Sequence, residues 1–391
     1  MTAQRVLVLH NAYQQRGGED TVVAAEMALL SGHGHAVRLF SRHNDELASM
    51  GKLTAARETL WSSRTVAMLE AEIAAFKPDV IHVHNTFPLI SPAAYWAAAR
   101  LKVPVVQTLH NFRLLCLNAL FMREGKVCED CIGHVPWAGV ARSCYRGSRA
   151  ASATLAGMLA LHRGLGTFRD KVACYIALNA FCRDKFIAGG LPAERIQVKP
   201  NFVDFAAPPP APRAGLLFVG RLSVEKGVNT LAEAMALLTN ARLRVAGDGP
   251  EAGLLAGVAG VERLGSLPSG QVRQEMSHAS AVVVPSIWYE TFGLVVIEAF
   301  ACGTPVIVSR IGALAALVRD GETGLLFEPG NPRDLADKIA WALAHPAEMS
   351  AMGQRARTQY EAEFSAEVNY RRLMEIYSFA LARNDKNDSK Q

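Results

Sequence analysis

Glu290 and Glu298 stand eight positions apart in Glu290-Thr291-Phe292-Gly293-Leu294-Val295-Val296-Ile297-Glu298. An apolar strand, Ala281 to Pro285, precedes the first carboxylate. Gly293 opens an apolar helix, and a helix N-terminus offers unpaired N–H groups and a positive dipole to a phosphate. Glu298 falls about one and a half turns into that helix, close enough to its start to face the same ligand. A phosphate flanked by carboxylates that accept from hydroxyls suits a nucleoside diphosphate sugar. Two glutamates around one amphipathic helix are also commonly just solvated. A carboxylate pair serves glycoside hydrolases as acid and base, but a hydrolase needs no phosphate site, and more phosphate-type signals lie upstream.

Those signals follow successive apolar strands. After Phe218-Val219 comes Gly220-Arg221-Leu222-Ser223-Val224-Glu225-Lys226-Gly227, in which two cations five residues apart can clamp a diphosphate. After Val245-Ala246 comes the tight turn Gly247-Asp248-Gly249-Pro250. Gly265-Ser266-Leu267-Pro268 follows Val261 to Leu264. Singly, these are a solvated Arg and Lys and ordinary turns. Their joint occurrence at consecutive strand ends points to one site. Nearer the N-terminus, Gly17-Gly18 precedes a helix, His82 and His84 flank a strand end, and His110 ends Val106-Gln107-Thr108-Leu109. A histidine in such a place is often only a packed, hydrogen-bonded side chain, and a glycine pair is often only a flexible loop.

The elements that must position these residues alternate apolar strand and amphipathic helix. Arg5–Leu9, Val80–Val83, Val103–Thr108 and Tyr175–Leu178 read as strands, and a helix spans about Asp20 to Leu30. The rhythm stops at Pro208-Pro209-Pro210-Ala211-Pro212, a stiff segment short of backbone donors. It resumes with strands at Leu216–Val219, Leu243–Ala246, Ala281–Val284 and Val306–Val308, and helices at Asn331–Ala344 and Pro346–Tyr360. This is an α/β chain of two doubly wound, Rossmann-like domains. The expected divisions are 1–207, a linker at 208–213, 214–364, a helix at 365–383 crossing back to the first domain, and a disordered tail at 384–391. Ligands of such sheets bind at the carboxyl ends of strands, so two facing sheets imply an interdomain cleft.

In order and type, Arg221…Lys226, Gly247-Asp248-Gly249 and Glu290…Glu298 resemble the retaining glycosyltransferases of the GT-B fold, family 4, or group 1. The resemblance covers nearly the whole chain and is strongest from Leu216 to Leu326. It implies that Arg221 and Lys226 hold the donor diphosphate, Glu290 the donor sugar hydroxyls and Glu298 the ribose. It places backbone amides at Thr291, Phe292, Gly293 and Leu294 on phosphate and Leu264–Leu267 near the base. Gly220, Gly247 and Gly249 would line the donor site, and Gly17-Gly18 would approach the phosphates. The residues implied in catalysis are His110, facing the reacting sugar, Glu290, Arg221 and Lys226, with His84, Asn111 and Arg113 on the acceptor side. It implies front-face attack with retained configuration and no metal required for catalysis.

The family pattern leaves a cysteine cluster unexplained. Of seven cysteines, Cys116, Cys128, Cys131 and Cys144 crowd an insert at 111–149. Their spacing, C-x11-C-x2-C-x12-C, suits a tetrahedral structural zinc. Reduced thiols, a redox pair or an iron–sulfur cluster are the alternatives. Cys174, Cys182 and Cys302 sit at apolar positions and read as buried packing. Arg142, Arg146 and Arg149 with Tyr145 form either a surface for anionic lipid or a pyrophosphate-linked acceptor, or a solvated basic face.

The chain has 391 residues, half of them hydrophobic, enough to build more than one core. A net charge of +5, from 41 basic and 36 acidic residues, does not call for nucleic acid. No apolar run reaches the ~20 residues that cross a bilayer, and Met1–Leu9 lacks a long apolar leader. The expectation is a cytoplasmic protein, with peripheral contact at the inner face of the plasma membrane. Its expected partners are a UDP- or GDP-linked sugar and a glycan or polyprenyl-linked acceptor, in cell-surface polysaccharide synthesis. The rivals are a sugar-nucleotide epimerase of the same fold and a non-catalytic sugar-nucleotide binder.

Overall fold

The structure, a computed structural model, describes residues 3–14, 17–206, 209 and 212–388. Most of the proline-rich stretch expected as a linker therefore lies outside the described residues. The chain forms two compact units. The first comprises the chain up to Ala119, Glu129–Pro200 and the stretch from Asn369 onward; the second comprises Leu120–Cys128 and Asn201–Val368. The division falls at Pro200/Asn201 rather than at 207, and the cysteine-bearing insert does not stay whole, because Leu120–Cys128 groups with the second unit.

Chain order gives strands β1 (Arg5–Ala12), β2 (Ala36–His43), β3 (Val80–Asn85) and β4 (Val105–Thr108). A short hairpin follows, β5 (Met122–Arg123) and β6 (Lys126–Val127), then β7 (Cys174–Ala177) and β8 (Ile196–Val198). The first unit's sheet has the order β2-β1-β3-β4-β7-β8, and every neighbouring pair is parallel. Parallel strands covered on both faces read as unbroken apolar runs; Val6, Leu7, Val8 and Leu9 are each at most 1% exposed. The helix Gly18–Gly32 turns Val23 and Leu30 onto this sheet, and the helix Ala366–Asp388 adds Leu373, Met374, Ile376 and Tyr377 to the same core.

The second unit carries β9 (Leu216–Val219), β10 (Leu243–Ala246), β11 (Val261–Gly265), β12 (Ala281–Val284), β13 (Val306–Ser309) and β14 (Gly324–Phe327). They order as β11-β10-β9-β12-β13-β14, again all parallel. Chain direction across the sheet reverses between β9 and β12, the kind of switch point beside which such sheets bind ligands. Both sheets are thus the doubly wound type expected from the sequence. The last helix runs to Asp388, so the tail expected to be disordered begins as helix, and residues 389–391 lie outside the described ones. Among the described residues no helix is long and apolar enough to cross a membrane.

Candidate functional site

In the second unit, four strand-end loops carry the residues singled out in the sequence, and backbone hydrogen bonds zip them together. Gly220 N donates to Ala246 O at 3.0 Å, Leu222 N to Asp248 O at 2.9 Å, and Gly247 N to Gly265 O at 2.8 Å. Ile287 N donates to Glu225 O at 3.0 Å, joining the loop after β9 to the loop after β12. Glycine is what permits this approach. Gly227 has φ +69°, and a Cβ there would lie 1.8 Å from Pro285 O. Gly247 has φ +149°, and a Cβ there would lie 1.9 Å from Gly220 O.

The zipped loops bring Lys226 and Glu290 into contact. Lys226 Nζ donates to Glu290 Oε1 at 2.6 Å, and Ser286 Oγ donates to the same oxygen at 2.8 Å. Burial pushes the Glu290 carboxyl up, but Lys226 and then Ser286 outweigh it and hold it below the ordinary carboxylate range. Glu290 is therefore an anchored, ionised acceptor. Arg221 is exposed and has no ion-pair partner among the described residues. Leu264 is half-buried on the edge strand β11.

Past Glu290, Thr291 and Gly293 are half-buried, and Phe292 is buried. Gly293 caps the helix Leu294–Ala301 with φ +98°, and no side chain caps it. Its first N–H groups are thus left to other acceptors. Glu298 is half-buried on that helix, and burial pushes its carboxyl up to about 7, against the opposing pull of Arg273. The structure pairs it with neither Arg221 nor Lys226.

In the first unit, Gly17 caps the helix that begins at Gly18, and Gly17 N donates to Asp20 Oδ2 at 2.7 Å. His10 Nε2 lies 2.8 Å from Asp20 Oδ1. Asn111 Nδ2 and Tyr13 OH both donate to Glu19 Oε2, at 3.3 and 3.1 Å. Burial pushes the Glu19 carboxyl up to about 8. The Arg113 guanidinium stacks over Phe87 and Tyr145, 4.9 and 5.2 Å from the ring centres. His84 lies in β3 and His110 just beyond β4, with Nδ1 of the first 2.8 Å from Nε2 of the second. Burial lowers both imidazoles, His84 to about 4 and His110 well below the usual range.

Behind these histidines lies a group that sequence reasoning missed. Glu26, on the helix Gly18–Gly32, is 2% exposed and sits 2.9 Å from His82 Nδ1 and 3.4 Å from His84 Nε2. Its other oxygen accepts from Lys199 Nζ at 3.0 Å. The available signal was an acidic residue on the apolar face that carries Val22, Val23 and Leu30.

Cys116 and Cys131 are buried and Cys128 and Cys144 half-buried; Cys174, Cys182 and Cys302 are buried. Arg142 forms an ion pair with Asp130, which offsets part of the basic patch. The Arg146 guanidinium lies 5.4 Å from the Tyr145 ring centre.

Two family models account for most of the chain. Residues 16–207 match the one described as Glycosyltransferase Family 4, and residues 204–359 the one described as Glycosyl transferases group 1. The chain belongs to this family of glycosyltransferases and is a transferase enzyme with the GT-B fold.

Among its relatives is a glycogen synthase of Mycobacterium tuberculosis, 28% identical over 320 residues that cover 78% of this chain and 69% of the relative. A sucrose-phosphate synthase from Thermosynechococcus elongatus shares the fold at TM-score 0.71 and 22% identity, covering 97% of this chain and 99% of that one. Anabaena Alr3699/HepE, solved in complex with UDP, does so at TM-score 0.69 and 19% identity, with 96% and 99% covered.

Proposed function

We propose that this chain is a retaining glycosyltransferase that moves a hexose from a nucleoside diphosphate sugar to a hydroxyl of a glycan or lipid-linked acceptor. The observation that carries the proposal is the Lys226–Glu290 contact at 2.6 Å, made by loops that meet at the switch point of the second sheet. It sets a cation for phosphate beside a carboxylate for sugar hydroxyls. In this reading Arg221 and Lys226 bind the diphosphate, and the amides from Thr291 to Leu294 add hydrogen bonds to it. Glu290 holds the sugar hydroxyls and Glu298 the ribose. In the first unit His110 faces the reacting sugar, and Gly17-Gly18 approaches the phosphates.

The bond between the anomeric carbon and the phosphate oxygen breaks, and its electron pair leaves with the nucleoside diphosphate. Arg221, Lys226 and the uncapped helix end stabilise that developing charge. The acceptor oxygen attacks from the face the phosphate leaves, and its proton passes to the departing phosphate oxygen. No protein nucleophile and no metal take part. The UDP complex of the Anabaena neighbour supports a uridine donor as the first to try. The setting we propose is cell-surface polysaccharide synthesis on the cytoplasmic side. A polyprenyl-linked acceptor would bring the chain to anionic lipid, which flotation with anionic vesicles tests. We also propose, from their C-x11-C-x2-C-x12-C spacing, that Cys116, Cys128, Cys131 and Cys144 hold a structural zinc.

Incubation with a panel of sugar nucleotides, with and without oligosaccharide or polyprenyl-phosphate acceptors, tests the main reading. A product with the donor's anomeric configuration, formed only when acceptor is present, supports it. Interconversion of the donor without acceptor favours an epimerase instead, and binding without any product favours a non-catalytic binder.

A further inference from the structure

Arg113 and Arg146 share one aromatic ring. The Arg113 guanidinium carbon lies 5.2 Å from the centre of the Tyr145 ring, and that of Arg146 lies 5.4 Å from it. Arg113 also stacks on Phe87 at 4.9 Å, and Phe87 meets Tyr145 edge to face with ring centres 5.7 Å apart. Aromatic faces suit the flat, weakly hydrated guanidinium and hold it without neutralising it. Phe87 lies in the loop after β3 and Arg113 in the loop after β4, two neighbouring strands of the first sheet. The carboxyl ends of such strands are where these sheets bind ligands. All four residues belong to the first unit.

Neither guanidinium has a carboxylate partner among the described residues. Arg113 spends Nη1 on Leu117 O at 2.5 Å. Its Nε and Nη2 make no hydrogen bond among the described residues and stay open to solvent. Arg146 is exposed. Arg142, four residues earlier, shows the alternative, because Asp130 meets it. Glu19 is close enough for Arg113 to pull its carboxyl down, yet burial pushes it up to about 8. It is therefore mostly protonated at neutral pH and balances little of the Arg113 charge.

Two cations gathered on one ring without counter-charge form a site for an anion. A carboxylate has two oxygens, which one guanidinium fork satisfies. A phosphate monoester has three acceptor oxygens and a charge of about −1.5 to −2 at pH 7, enough for both forks. We propose that Arg113 and Arg146, carried on Phe87 and Tyr145, bind a phosphate or diphosphate ester on the acceptor, so that this enzyme glycosylates phosphorylated acceptors. That the ester belongs to an acceptor rests on the glycosyl-transfer reading above; the anion site does not.

Calorimetric titration of the full-length protein with farnesyl phosphate, glucose 6-phosphate, inorganic phosphate and glucuronic acid tests the site without turnover. The two esters separate a lipid-borne phosphate from a sugar-borne one. At least one ester should bind wild type and Arg221→Ala equally, and Arg146→Gln about 10- to 100-fold more weakly. Arg113→Gln should weaken it as much. That change also removes the bond to Leu117, so the exposed Arg146 carries the test if the Arg113 variant misfolds. Equal binding to wild type and Arg146→Gln would overturn the proposal, as would no binding of either ester. Inorganic phosphate or glucuronic acid bound as tightly as the better ester would overturn it too. Loss of ester binding in Arg221→Ala would move the anion to the donor diphosphate group, with the same consequence.

Turnover decides the parent reading separately. Glycosyl transfer to a phosphorylated acceptor with KM unchanged in Arg146→Gln would sink the anion site and leave the transfer reading standing. No transfer to any acceptor, with ester binding still lost in Arg146→Gln, would keep the anion site and sink the transfer reading.

Discussion

Lys226 Nζ lies 2.6 Å from Glu290 Oε1, across 64 residues of sequence, and Lys226 is 27% exposed where Glu290 is 11%. The lysine therefore does two things. It keeps a buried carboxylate ionised, and it presents positive charge at the ends of β9 and β12. Lys226→Ala should lower turnover by about 10²- to 10³-fold, the usual cost of one charge-stabilising group. It should also lower stability by about 2 kcal/mol, less than for a fully buried pair because Lys226 reaches solvent. Steady-state kinetics and urea denaturation report the two effects, and an active variant of normal stability would contradict both.

Arg221 separates binding from folding. It is exposed and unpaired among the described residues. Arg221→Ala should leave stability within about 0.5 kcal/mol of wild type, while turnover falls at least ~10²-fold. A melting curve with a clear loss of stability would show a structural role instead.

Gly227 tests how the loops are held. Any side chain there meets Pro285 O at 1.8 Å with φ at +69°. Gly227→Ala should cost more than about 2 kcal/mol, because both the backbone conformation and a backbone contact must change. Chemical denaturation measures this, and a cost near zero would mean that the two loops separate freely.

Glu298 gives a pH signature. Its carboxyl stands at about 7, above the ordinary 4.5, because burial disfavours the charge. A raised folded value means that the protonated form stabilises the fold. That contribution is full below about pH 4.5 and is lost as pH rises through about 7. Glu298→Gln lacks the loss, so its stability relative to wild type should climb over that window, by on the order of 2 kcal/mol. Donor binding should move the opposite way in wild type, strengthening as Glu298 ionises. Unfolding curves at pH 4.5 and 8 that differ equally for both chains would rule this out.

The cysteine reading has its own test. Protein purified under reducing conditions should carry stoichiometric zinc, and Cys128→Ser and Cys131→Ser should each lose it. Elemental analysis finding neither zinc nor iron in wild type would leave these residues as plain thiols.

The loops after β9, β10 and β11 were legible because each begins at a glycine, Gly220, Gly247 or Gly265, and the loop after β12 because it follows the apolar run Ala281–Val284. The strands β2, β8 and β14 were not. β2 is an edge strand, half exposed with Arg38 and Arg42 in it, β8 is short and also at an edge, and Gly324–Phe327 is too brief to show a period. The Glu290…Glu298 spacing could be seen, but not that Lys226 reaches Glu290, since no local period carries that register. Glu26 and Lys199 were harder still: each is a charge in an apolar context, and only the folded first unit makes them partners. The stretch from Asn384 to Asp388, expected as tail, is helix, since polar composition does not stop a helix already anchored by Leu373, Met374 and Tyr377.

The most direct test of the central claim is a thermal-shift series with UDP-, GDP-, ADP- and TDP-sugars on wild type and Arg221→Ala. A ligand that binds the native state raises its melting temperature. One class of donor should raise it in wild type, and the rise should be lost in the variant while the unliganded melting temperature stays the same. An equal rise in both proteins would contradict the assignment of the diphosphate to Arg221, and no rise with any donor would contradict a preformed donor site at the ends of β9 and β12.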